Sequence, residues 1–403
     1  LPFHVPGHKR GKGVDKEFYD FMGNGPFSID VTIFKMVDGL HQPKSCIKEA
    51  QELAADAYGV KQSFFAVNGT SGAIQAMIMS VIKAGEKILV PRNVHKSVSA
   101  GIILSGSEPI YMNPEVDEEL GIAHGVRPQT VENMLKQHPD IKAVLIINPT
   151  YYGVATDIKK IADIVHSYDI PLIVDEAHGP HLHFHDDLPI SAVDCGADIC
   201  TQSTHKIIGA MTQMSLLHIN SDRVDVNRVK QILSLLHTTS PSYPLMASLD
   251  CARRQIATEG KELLDKAIKL AKRFRTEVNR IPGMSCFGEE IVGREGVFAF
   301  DPTKITITAK ELGLTSTVFK NPHGLDTDGH TSSAYDMAIM ARELIKHPKI
   351  LEFTSIYEDY LKKNDGTSTW LVNTNRLVRF YNGVDGLKTG FTQTAGYCLT
   401  ATA

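Results

Sequence analysis

Short apolar runs alternate with amphipathic stretches from about residue 45 to residue 220, and this alternation most constrains how the chain can fold. Ser63–Val67 (SFFAV), Lys87–Val90, Ala143–Ile147 (AVLII), Pro171–Asp175 (PLIVD) and Asp198–Gln202 have the length and composition of buried strands. Ser45–Tyr58, Ser71–Lys83, Arg127–Gln137 and Asp157–Ser167 have helical periodicity. Strands that are apolar on both sides must be covered on both faces. The pattern therefore predicts an α/β fold with a mostly parallel central sheet between two helical layers. In such sheets the ligand lies beyond the carboxyl ends of the strands.

Residues 224–280 read as helices, and Lys261–Arg280 shows a charged, solvated face. From about residue 296 the character changes. Gly296–Phe300 and Lys304–Thr308 read as strands, and Thr331–Lys346 as one amphipathic helix capped by Thr331 or Ser332. Trp370–Ala403 is rich in strand and turn residues.

Of the 403 residues, 42% are hydrophobic and 22% charged, which excludes a disordered tail, a collagen-like rod and a disulfide-dense miniprotein. The formal charge of −4 offers no basic field for nucleic acid. No stretch approaches the roughly 18–20 apolar residues of a membrane helix, so no membrane partner is expected. The six cysteines form no CxxC pair, so no metal ribbon is expected and a reducing, cytoplasmic setting is. The N-terminus LPFHVPGHKRGKG has no apolar run, so no signal peptide is expected. It has no initiating Met, and the chain stops inside the apolar run GYCLTATA, so both ends are expected to be cuts.

Four elements carry chemistry, each just after a predicted strand. Asn68-Gly69-Thr70-Ser71-Gly72 opens a helix, where small residues let backbone N–H groups approach an anion. Alone, it is equally a turn with a helix cap. His95 follows the strand at 87–90; alone, such a residue is more often structural. Asp175 closes PLIVD within DEAHG, and a carboxylate at the end of a buried strand needs a cationic partner. A protonated cofactor nitrogen would be one. The DEAH string is similar to a helicase box, but no GxxxxGK[ST] loop precedes it. His181, His183 and His185 invite a metal reading that no Cys or carboxylate cluster supports, so a packed or solvated loop is expected there. Ser203-Thr204-His205-Lys206 ends the series. A lysine just beyond a buried strand can be desolvated, which frees its amine for covalent chemistry with a carbonyl.

With these residues in order, the sequence resembles the ornithine/lysine/arginine decarboxylases of the fold type I pyridoxal-phosphate class, from residue 2 to about 315. The motifs are PFHVPGHKRG at 2–11, IKEAQELAADAYG at 47–59, FFAVNGTSGAIQAMI at 64–78, PRNVHKS at 91–97, DEAHG at 175–179 and STHK at 203–206. HTTSPSYPLMASLD at 237–250 and DPTKITI at 301–307 also match. The resemblance implies a fold type I architecture with pyridoxal 5'-phosphate as cofactor. Lys206 would hold it covalently, Asp175 would keep its ring nitrogen protonated, and His95 would stack on the ring. Gly69, Thr70, Ser71, Ser203 and His205 would bind the phosphate. His178 would lie near the phenolic oxygen or the substrate carboxylate. Thr238, Thr239 or Ser240 would reach the cofactor of a partner subunit, which implies a homodimer with a shared active site. The implied substrate is a basic amino acid, arginine first, with lysine and ornithine as alternatives.

The tail resembles a second family. AKELGLTSTVFKNPHGLD at 309–326, HTSSAYDMAIMARELIKHP at 330–348, NTNRL at 373–377 and GVDGLKTGFTQTAGYCLTATA at 383–403 are similar to the D-alanyl-D-alanine carboxypeptidases. Lys388-Thr389-Gly390 matches their KTG motif. That family also needs Ser-x-x-Lys and then Ser-x-Asn. Ser45–Lys48 and Ser203–Lys206 fit the first pattern but lie inside decarboxylase motifs, and no Ser-x-Asn occurs between Lys206 and Lys388. The tail is therefore expected not to hydrolyse peptides and to be a small α+β segment packed loosely on a foreign core.

The expected organisation is a cofactor-binding domain at 1–250, the start of the decarboxylase C-terminal region at 251–308, and a carboxypeptidase-like fragment at 309–403, joined near Ala309–Thr315. Three functions compete: a decarboxylase, a serine-type carboxypeptidase using the KTG strand, and an inactive chimeric fragment.

Overall fold

In the computed structural model the described residues are 3–34, 37–281, 284–308, 317–318, 332–346, 356, 358–362, 368–372, 389–392 and 396–399. The chain divides into two compact units. The first comprises Leu1–Arg275 and Phe287–Thr306, the second Thr276–Cys286 and Ile307–Ala403.

The first unit is built on a seven-stranded sheet. Its strands are β1 (Gln62–Ala66), β2 (Lys87–Pro91), β3 (Glu108–Met112), β4 (Ile141–Ile147), β5 (Leu172–Asp175), β6 (Ile199–Gln202) and β7 (Ser215–Ile219). Their order across the sheet is β1-β7-β6-β5-β4-β2-β3. Six strands run the same way, and β7 is antiparallel to both its neighbours.

Alternation along the strands feeds two cores. On one face Ile88, Val90, Leu145, Ile173 and Leu217 pack with α2 (Gly69–Val81), α3 (Lys96–Ser105) and α6 (Val226–Leu236). On the other, Leu89, Val144, Ile146, Leu172 and Val174 pack with α4 (Pro128–Gln137) and α5 (Ile158–Ser167). Successive strand side chains point to opposite faces, so one apolar run serves both layers. A third cluster places α1 (Cys46–Ala57) against Phe65, Leu216 and Leu249.

Several expectations are refined. β3 and β7 went unread. Helix α7 (Tyr243–Val278) runs for 36 residues, separated from α6 by residues 237–242. It is not merely solvated, since Leu264, Ile268, Ala271, Arg275 and Val278 are buried on one side. The strands predicted at Gly296–Phe300 and Lys304–Thr308 shrink to Ala299–Phe300 and Ile307–Thr308, because only these residues find pairing partners. In the second unit the predicted helix is α8 (Ala334–Leu344). Its cap is Ser333 rather than Thr331 or Ser332, because Ser333 Oγ accepts the Asp336 N–H at 3.0 Å. Two antiparallel pairs follow, Glu358–Lys362 with Ser368–Val372 and Thr389–Thr392 with Gly396–Leu399. The proposed junction at Ala309–Thr315 and Lys388 lie outside the described residues.

Candidate active site

The carboxyl edge of the sheet opens into a cavity of about 680 Å³. β5 is covered on both faces and delivers Asp175 to this edge, where the residue is only 3% exposed. Its Oδ1 accepts the Ala177 N–H at 3.1 Å. No lysine or arginine among the described residues forms an ion pair with it. Burial pushes its carboxyl up to about 6, against the opposing pull of that N–H and of Lys206.

Lys206 stands on the turn Thr204–Ile207, directly after β6. Its ammonium donates to His178 Nε2 at 3.2 Å. Burial lowers the proton affinity of the amine, and the charge of Asp175 opposes the shift. His178 comes from the loop after β5 and meets the Tyr151 ring edge to face at 5.4 Å. Burial, with Lys206 and Lys304 nearby, drives its imidazole down to about 3. The ring is thus neutral at neutral pH and can accept from the lysine.

A hydroxyl cluster closes the β1 side. Gly69 starts α2 with φ +70°, a left-handed conformation that glycine adopts without a Cβ clash. Thr70 Oγ1 bonds to Ser203 Oγ, and to Ser215 Oγ at 2.8 Å. These hydroxyls sit at the N-terminus of a 13-residue helix, whose unpaired N–H groups and dipole favour an anion. Ser71 lines the same end. His205 Nδ1 donates to the Met214 carbonyl at 2.9 Å, which fixes its ring on the cavity wall.

His95 caps α3. Its Nδ1 accepts the Ser97 N–H at 3.2 Å, so in the neutral ring the proton resides on Nε2. Burial, with Lys206 and Lys96, lowers its proton affinity.

Gly69, Thr70, Ser71, His95, Asp175, His178, Ser203, His205 and Lys206 thus share one cavity. Thr238, Thr239 and Ser240 are exposed beyond α6 and do not line it. Sequence reasoning missed the remaining wall, which includes Asn93, Thr150, Tyr151, Tyr152, Thr212 and Gln213. The string NPTYYG follows the predicted strand ending at Ile147, so the carboxyl-edge rule could have found the tyrosines. Gln213, at φ +85°, left no sequence signal.

Behind the site, Glu176 faces away from the cavity. It accepts from Ser191 Oγ at 2.9 Å, Gln202 Nε2 at 2.7 Å and the Ala192 N–H at 2.6 Å. These bonds tie the end of β5 to its surroundings. The three nearby histidines diverge. His181 lies 3.0 Å from Asp301, His183 2.8 Å from Asp194 and His185 3.2 Å from Asp265. Each takes a different aspartate, and His181 is fully buried.

The strand order, the one antiparallel strand and the lysine and carboxylate at adjacent strand ends define an α/β protein of fold type I, the architecture of pyridoxal-phosphate enzymes. The lysine decarboxylase LdcF of Francisella novicida shares the fold, with a TM-score of 0.70 at 24% identity over 88% of this chain and 58% of that one.

Residues 1–313 match the family model of the Orn/Lys/Arg decarboxylase major domain, and this chain belongs to that family. It is 51% identical over 315 residues to the arginine decarboxylase of Bacillus subtilis (strain 168), covering 78% of this chain and 64% of the relative. The chain thus spans just under two thirds of that relative's length. Residues 303–403 match the D-alanyl-D-alanine carboxypeptidase model. Over 115 residues the chain is 59% identical to the carboxypeptidase DacF of Bacillus subtilis (strain 168), covering 28% of this chain and 29% of DacF. The two family matches overlap at 303–313, so one chain carries sequence from two families.

Proposed function

We propose that the chain carries the cofactor-binding part of a decarboxylase that uses pyridoxal 5'-phosphate to convert a basic amino acid, arginine first, to its amine and carbon dioxide. The carrying observation is that Lys206 and Asp175 line one cavity while the lysine amine is hydrogen-bonded to the neutral His178. The residues fit the cofactor: a buried carboxylate with no ion-pair partner among the described residues, a desolvated amine, and hydroxyls at a helix N-terminus. When bound, pyridoxal phosphate supplies an electron sink conjugated to the substrate's amine.

Thr70, Ser71, Ser203, His205 and the Gly69 backbone would hold the phosphate. Asp175 would hold a proton on the ring nitrogen, and burial strengthens that attraction. His95 would lie on the ring face and His178 near the departing carboxylate. Lys206 would hold the cofactor and exchange protons at the substrate Cα. On this reading residues 1–250 form the cofactor-binding domain, 251–308 begin the C-terminal region, and 309–403 carry the carboxypeptidase-like sequence.

Arginine is named first because the 51% identical relative is an arginine decarboxylase. Lysine stands second, since the constitutive lysine decarboxylase of Escherichia coli (strain K12) is 30% identical over 301 residues. Thr238 and Thr239 would serve the site of a second copy in a homodimer, and the enzyme would act in the cytoplasm.

The test is carbon dioxide release from arginine, lysine and ornithine, with and without added pyridoxal phosphate. Cofactor-dependent release from arginine supports the reading. Absence of release, together with no visible absorbance that borohydride fixes at Lys206, overturns it.

A further inference from the structure

Asp301 is fully buried in the first unit and does not line the cavity, yet it bonds to both turns that build one of its walls. Its backbone N–H donates to the Gly153 carbonyl at 2.8 Å, and the Gly153 N–H closes the Tyr151 turn on the Thr150 carbonyl at 3.0 Å. Its carboxylate meets His181, which is equally buried. Asp301 Oδ2 lies 3.0 Å from His181 Nε2. Thr303 Oγ1 donates to Asp301 Oδ1 at 2.7 Å and lies 3.2 Å from the same His181 nitrogen. That hydroxyl proton is committed to the carboxylate, so His181 Nε2 is the donor here.

His181 and His178 belong to one run of turns. The Gly179 N–H donates to the Glu176 carbonyl at 2.9 Å, and the Leu182 N–H to the Gly179 carbonyl at 3.1 Å. The two turns tied by Asp301 therefore carry the Tyr151 and His178 rings, which meet at 5.4 Å, and His178 accepts from Lys206. Burial would raise the Asp301 carboxyl, but His181, Thr303 and Lys304 outweigh it and hold it below its ordinary value. A carboxylate kept ionised without water binds its partners firmly, and removing one partner is costly.

We propose that Asp301 and His181 are positioning residues for the active site, which lock the two turns together so that His178 stays packed against Tyr151 with Nε2 aimed at the Lys206 amine. The proposal rests on the decarboxylase reading for the use made of Lys206, while the packing can be read without cofactor.

The experiment follows the histidine ring signals of the full chain, labelled with 13C at histidine, between pH 5 and 8. The His178 signal is identified by its loss in His178→Gln. Lys206, Lys304, His95 and Asp301 are the charged or titratable groups acting on this ring. The wild-type signal should not move over this range. In Asp301→Asn the freed ring gains water and should titrate inside it, toward the ordinary value of about 6.5. Loss of the Asp301 charge alone would lower the ring's proton affinity further and leave the signal still, so the two causes separate. In His181→Gln an amide NH2 takes the place of Nε2, and the signal should stay still. In His181→Asn the amide falls short of Asp301, and the signal should move. Thermal melts confirm that each variant folds, and if Asp301→Asn does not, the two His181 variants decide. A His178 signal as still in folded Asp301→Asn and His181→Asn as in the wild type overturns the proposal. With pyridoxal phosphate bound, both variants should lower kcat/KM for carbon dioxide release from arginine by about tenfold or more. A moving His178 signal with no release from any form keeps this proposal and overturns the decarboxylase reading.

Discussion

The amine of Lys206 donates to His178 Nε2 at 3.2 Å, joining the turn after β6 to the loop after β5 across the mouth of one cavity. The two groups suit each other because neither gains from a charge on the imidazole. Burial and two lysines keep the ring neutral, and the neutral ring supplies the acceptor. The same burial lowers the proton affinity of the amine and so raises its nucleophilic fraction.

Removing that amine should remove the activity. Lys206→Ala is expected to lower carbon dioxide release from arginine by about 10³-fold or more, and to abolish borohydride-fixable absorbance. Near-normal turnover in the variant would refute the proposed mechanism.

Asp175 gives a stability prediction with a definite sign. Its folded carboxyl titrates near 6 rather than 3.8. Below both values the group is protonated in both states and costs nothing. As pH rises through this window the unfolded state ionises first, so stability falls. Above it the penalty is complete, about 3 kcal/mol for a shift of roughly two units. Without cofactor, Asp175→Asn should therefore raise the unfolding midpoint more at about pH 7.5 than at about pH 4.5, while lowering activity by about 10²-fold or more. Melts at the two pH values decide. An equal gain at both would contradict the burial argument.

Gly153 holds the turn that carries Tyr151 and Tyr152. Its φ is +87°, and a Cβ there would lie 2.7 Å from Lys304 Cγ and 3.3 Å from the Asp301 carbonyl. Gly153→Ala should cost about 1–3 kcal/mol and displace the tyrosine wall. A lower melting midpoint and a raised KM for the amino acid are the expected readings. An unchanged KM would detach the turn from substrate binding.

The carboxypeptidase-like segment should be chemically silent. A fluorescent penicillin is expected to leave the chain unlabelled, because Ser-x-Asn is missing and the three Ser-x-x-Lys strings, Ser45–Lys48, Ser80–Lys83 and Ser203–Lys206, all lie within residues 1–313, the decarboxylase part. Stoichiometric labelling would revive the serine-acyltransferase reading.

PLIVD and AVLII were legible as strands because they are apolar on both sides. β7, SLLHI, was not, because His218 reads as a polar interruption. In the sheet that histidine is satisfied sideways, by Ser63 Oγ at 2.8 Å on β1 and Gln202 Oε1 at 3.2 Å on β6. Three polar residues far apart in sequence cancel one another's burial cost, and no local pattern reveals it. β3 was missed for another reason. It lies at the sheet edge, begins EP and is only partly covered, so its apolar signal is weak.

By itself the sequence determined the alternation of strands and helices, and with it the edge where Asp175, His95 and Lys206 emerge. Apolar periodicity and chain order are local properties, and a strand's end is fixed once the strand is. The tertiary structure alone decided which strand-end residues share a cavity, that His178 is neutral, and that the histidines at 181, 183 and 185 turn to separate aspartates. Those outcomes depend on distances between segments and on how much water each group loses, and both exist only once the sheet has closed around them.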